Sequence, residues 1–132
     1  MSYDIFVLIP KLESKLAEQF NQYAPQRGLN YQFQLASCNL EPNAVWELMD
    51  GEEPMLELYP RLSTRAGIAG IQHELHAPCR EPETVLMIAA QLAEIAGGYV
   101  SDPQAAGEAI AVPMSSEHEA LARRGIFTPA LA

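Results

Sequence analysis

The chain opens on an unbroken apolar run, Ile5-Phe6-Val7-Leu8-Ile9, preceded by Tyr3 and closed by Pro10. With no polar alternation, this run predicts a central strand over Tyr3 to Ile9, covered on both faces. The period then turns helical. Leu12, Leu16, Phe20 and Tyr23 recur every three or four positions, while Lys11, Glu13, Lys15, Glu18 and Gln22 fill the other faces. Pro10 suits a first helical position. Pro25 and Gly28 predict the end of the helix, one lacking an amide donor and the other tolerating positive φ.

From Tyr31 the period falls to two: Tyr31, Phe33 and Leu35 alternate with Gln32, Gln34 and Ala36, which predicts a second strand. Residues 42–49 read as a short helix carrying Val45, Trp46 and Met49, and the acidic stretch 50–54 as the turn after it. Met55, Leu56, Leu58 and Tyr59 predict a third strand stopped by Pro60. A fourth spans 67–77, with Ile71, His73 and Leu75 on one face, Gln72, Glu74 and His76 on the other, and Gly67 and Gly70 as bends. The clearest element is a helix from Pro82 to Ala96, with Val85, Ile88, Ala89, Leu92, Ile95 and Ala96 as its core stripe and Gly97-Gly98 as its cap. Tyr99-Val100 starts a further strand stopped by Asp102-Pro103. Beyond it, 108–112 reads as extended, and Ser115 or Ser116 caps a last short helix over 117–124.

Strand, helix, strands, helix, strand is an α+β order that lets both helices cover one face of a mainly antiparallel sheet. The expected fold is a two-layer, ferredoxin-like sandwich with an embellished C-terminus, one domain over 1–132. In it Leu16, Phe20, Val85, Ile88 and Leu92 are expected to pack on Phe6, Leu8, Phe33 and Leu35.

The length of 132 residues fits one domain with a real core, and a 48% hydrophobic share is globular. Charge sharpens the picture more than composition does. Seventeen acidic against eight basic side chains give −9, a field that repels phosphate backbones and anionic membranes, so nucleic acid and membrane are excluded as partners. The same charge either maintains solubility or steers a positively charged protein partner. No basic stretch precedes the first apolar run and no small-residue cleavage site follows it, and no run is long enough to span a bilayer; the expected compartment is the cytoplasm.

Candidate chemistry is sparse. His73-Glu74-Leu75-His76 and Cys79 are metal-ligand types, yet two histidines three apart on a strand point to opposite faces, so no metal site and no cofactor are expected. Cys38 and Cys79 could form one bridge or equally be two reduced thiols, and Cys79, before the second long helix, reads as a structural thiol rather than a nucleophile. Ser115 and Ser116 beside His118 read as helix caps rather than a nucleophile and base. There is no phosphate loop, dinucleotide fingerprint or nucleophile elbow, and no catalytic residue is assigned. The candidate partner-binding set is Trp46, Asp50, Glu52, Glu53, Glu57 and Tyr59, an anionic patch beside two aromatic anchors. The competing classes are a small-ligand protein or enzyme using the open sheet face through Tyr31, His73 and His76, and a subunit of an assembly.

Two stretches, Met1-Ser2-Tyr3-Asp4 leading into an apolar strand and Gly97-Gly98-Tyr99-Val100-Ser101-Asp102-Pro103-Gln104 after an amphipathic helix, resemble small bacterial immunity-type proteins of polymorphic toxin systems. The match covers about a tenth of the chain. The resemblance implies a cytoplasmic antidote that binds and occludes a cognate toxin and does no chemistry of its own, and the −9 charge agrees with a basic target.

Overall fold

The computed structural model describes residues 3–63, 68–105 and 125–127. Within them the strands are β1 (Tyr3–Ile9), β2 (Gln32–Phe33), β3 (Trp46–Asp50), β4 (Glu53–Leu62), β5 (His73–Cys79), β6 (Tyr99–Ser101) and β7 (Ile126–Phe127). The helices are α1 (Lys15–Tyr23) and α2 (Pro82–Ala96), and 3-10 turns follow α1, β2 and β6. The strands form one sheet in the order β2-β3-β4-β5-β1-β6-β7, every pairing antiparallel. Its central four, β4-β5-β1-β6, together with α1 and α2, reproduce the ferredoxin-like β-α-β-β-α-β order. β2 and β3 extend one edge and β7 the other. Among the described residues no helix is long and apolar enough to cross a membrane.

Both helices lie on one face of this sheet, which explains the pattern in β1. Ile5, Val7 and Ile9 join Leu16, Phe20, Val85, Ile88 and Leu92 in the main core. Phe6 and Leu8 project the other way and pack with Ile126, Ile68, Ile71 and Tyr99 in a second, smaller core. A strand covered on both faces is what the unbroken apolar run requires. The expectation that Phe6 and Leu8 meet the helices is therefore corrected: strand alternation hands that contact to their odd-numbered neighbours. Leu35 is likewise not a core residue. It begins a 3-10 turn and is 48% exposed, because the second strand stops at Phe33.

Three further elements differ from the sequence reading. The expected helix over 42–49 is replaced by β3, in which Trp46 and Leu48 are buried and Glu47 is exposed, a period of two. Asn43 at φ +65 breaks any helix before it, and Gly51 at φ +63 opens the two-residue turn that folds β3 onto β4. The first helix starts at Lys15 rather than at Pro10, and its chain continues past Pro25 as a 3-10 turn until Gly28, at φ +76. The fourth expected strand begins only at His73, since Gly70, at φ +82, forms a turn before it. Gly67 and the expected elements at 108–112 and 117–124 lie outside the described residues.

Gly98 marks a close approach. A Cβ there would meet the carbonyl oxygen of Leu8 at 1.9 Å, far inside contact distance. Gly98→Ala should thus push β6 off β1 and cost about 1–3 kcal/mol, as overpacking does. Urea unfolding of the variant checks this.

Candidate functional site

The sheet is split where β4 leaves β5, and the split follows from proline placement. In an antiparallel ladder the N–H and C=O of one residue point to the same side, and successive residues alternate. Glu47 spends both groups on the β2 side: its N–H donates to Ser37 Oγ at 3.0 Å and its C=O accepts from Gln34 N–H at 2.9 Å. Its cross-strand partner is Glu57. The backbone groups of Glu57 therefore point away from β3, towards β5. Tyr59 and Arg61 share that phase and pair with His76 and Glu74. Pro60 has the opposite phase, so its missing N–H faces a side on which β4 has no partner, and the strand runs through it to Leu62. Continuing the β4–β5 register by two residues would set Glu57 opposite Pro78, which has no N–H to give. The β4–β5 ladder ends at Tyr59 and His76, and, among the described residues, 53–58 have β3 as their one strand partner.

The resulting cleft has a volume of about 640 Å³. Its β4 wall carries Met55, Leu56, Glu57 and Tyr59, its β5 wall Pro78 and Cys79, and its floor Tyr31, Thr84 and Val85. Arg80 and Glu81, where β5 turns into α2, also line it.

On the open face beside the cleft, Glu47 and Glu57 sit directly opposite each other on neighbouring strands, both exposed. Like charges in that position repel. Neither forms an ion pair among the described residues. Tyr59, 38% exposed, donates its hydroxyl to Glu57 Oε2 at 2.9 Å, and the carboxylate so placed raises the phenol pKa. Arg61 lies four residues beyond Glu57 along β4, about 13 Å at strand rise. It is committed to buried Glu74, Nε to Oε2 2.8 Å, and lies 5.3 Å from the Phe6 ring centre. Asp50, Glu52 and Glu53 are exposed at the β3–β4 turn.

Of the six expected partner-binding residues, five are thus surface residues of one hairpin. Trp46 is the exception. It is 0% exposed, edge-on to Phe33 at 5.9 Å, and its indole N–H donates to the Asn39 carbonyl at 3.1 Å. It anchors the core under the hairpin and cannot touch a partner. The sequence reading missed Glu47, because a helix over 42–49 hides its pairing with Glu57.

The histidines diverge. His73 accepts the Leu12 N–H at Nδ1, 3.3 Å, whereas His76 stacks on Phe6 at 4.6 Å and bonds Asp4 Oδ1 through Nε2 at 2.9 Å. Tyr31 lines the cleft, so Tyr31, His73 and His76 do not converge on one ligand. No group of three or more His, Cys, Asp or Glu side chains comes together as a metal cage among the described residues. The Cys38 thiol is pushed up to about 11 by burial, and Cys79 is raised by burial and then by the nearby carboxylates of Asp4 and Asp102. Both are poor nucleophiles at neutral pH. Ser115, Ser116 and His118 lie outside the described residues.

Asp102-Pro103-Gln104 has a structural role. The Gln104 amide accepts the Asp4 N–H at 2.6 Å and donates to the Asp4 carbonyl at 2.9 Å, replacing a neighbouring strand beside Asp4. Asp102, buried, accepts from the Tyr3 hydroxyl at 2.8 Å and from Gln104 Nε2 at 3.0 Å. The two stretches that carry the family resemblance are therefore one network that pins the start of β1. Comparison of the chain with protein-family models, curated proteins and solved structures finds no match.

Proposed function

We propose that this domain is a protein-binding module that docks a positively charged partner on the open face of its β3–β4 hairpin, as an immunity protein occludes a cognate toxin in the cytoplasm. One observation carries the reading: Glu47 and Glu57 are held face to face, and neither is ion-paired among the described residues. Folding gains nothing from that repulsion, whereas a lysine or arginine of a partner relieves it. Tyr59 adds an exposed aromatic surface next to the pair, and tyrosine is a frequent anchor in interfaces. Asp50, Glu52 and Glu53 at the turn, with the −9 of the whole chain, supply the long-range attraction. The immunity role is the narrower part of the proposal and is supported by the resemblance carried by Tyr3, Asp4, Asp102 and Gln104.

The test is direct binding of the purified protein to the product of the adjacent gene. The expected outcome is a complex that persists at micromolar concentration and whose association slows as salt shortens the screening length below about 10 Å. A neighbouring product that is a metabolic enzyme and is not retained at that concentration contradicts the reading.

A further inference from the structure

Taking the docking reading as its premise, we infer that the split between β4 and β5 receives an extended segment of the protein partner as an added strand, hydrogen-bonded to β4 through Glu57. The backbone of Glu57 points into the split, by the alternation that Glu47 fixes, and among the described residues it has no strand partner on that side. The free edge is confined to Glu57 because Met55 is the extra residue at a bulge, where Leu48 pairs with Leu56 and Met49 with Pro54 and the alternation is interrupted. A β4 edge whose donors and acceptors lack a strand partner is a template for strand addition. The facing wall does not compete for it, since Pro78 has no N–H to offer. The cleft of about 640 Å³ leaves room for the incoming backbone.

The side chains of the walls specify the segment. A strand on this edge points alternate residues to the helix side and to the open side. On the helix side it meets Leu56, Val85 and Tyr31; on the open side it passes Glu57 and Tyr59, with Glu47 beyond. The fitting segment alternates apolar and basic residues. Because only β4 pairs with it, only one of its two backbone phases is hydrogen-bonded.

A blocked peptide, acetyl-Lys-Val-Lys-Val-Lys-amide, and two analogues N-methylated on alternate residues in either phase test this on the whole chain by NMR titration and amide exchange. The expected result is that the parent peptide slows exchange of the Glu57 amide at least about tenfold. One N-methylated phase should bind as the parent does, and the other about tenfold more weakly or worse. Pro78→Ala, which supplies the missing donor opposite Glu57, should close the split and weaken the parent peptide. Equal binding of all three peptides, weakened by salt, overturns strand addition and leaves charge-based docking standing. Equal loss with both methylated phases, or no binding of the parent at millimolar concentration, also overturns it. Failure of the docking reading itself shows separately, as absence of a complex with the neighbouring gene product.

Discussion

Trp46→Ala should lower the unfolding free energy by about 3–5 kcal/mol, the range for removing a buried aromatic side chain. The indole is fully enclosed, edge-on to Phe33, which is itself edge-on to Phe20 of α1 at 5.1 Å. Truncation therefore hollows the contact between the β2–β3 extension and the first helix. It also leaves the Asn39 carbonyl without its indole donor. Denaturant unfolding followed by far-UV circular dichroism measures the loss. A loss near zero would mean that the residue lies at the surface and belongs to the partner-binding patch after all.

Leu92→Ala should cost about 2–5 kcal/mol. Leu92 is fully buried on the inner stripe of α2, in the core that also holds Ile5, Val7 and Ile9. Unlike Trp46, it lies in the ferredoxin-like part of the fold rather than in the edge extension. The two variants thus report on different halves of one core. If both shift the same single unfolding transition, the extension and the central sandwich unfold together, as one domain should.

The second helix was legible to the residue because its signals agree: proline at the first turn, an apolar stripe, and Gly97 in the left-handed conformation after the last turn. β1 was legible as a strand, but its facing was not. An apolar run with no alternation does not say which side meets helices, and only the register sends Ile5, Val7 and Ile9 inward and Phe6 and Leu8 to the second core. Residues 42–49 failed because Val45, Trp46 and Met49 also fit a helical spacing over so short a window, whereas the deciding facts are non-local: the Asn43 backbone and the pairing of Trp46 with Leu58. The candidate site inherited that error. Asp50, Glu52, Glu53, Glu57 and Tyr59 were found from composition around a turn. Glu47, whose place opposite Glu57 defines the site, and Pro78, which opens the split, are visible only once strands are paired.

The central claim is that Glu47 and Glu57 are opposed for a partner's sake, and the variant Glu57→Lys tests it with two readings of opposite sign. Placing a lysine across from Glu47 replaces repulsion by attraction, so the free protein should become more stable by about 0.2–1 kcal/mol. The same change puts a positive charge on the docking face and should slow association with the basic partner, with the isosteric Glu57→Gln between the two proteins in both measurements. Unfolding and association rates measured on the same samples decide the matter. Gain of stability with loss of association is the predicted result; a variant that gains stability and still binds its partner at the original rate would contradict the account.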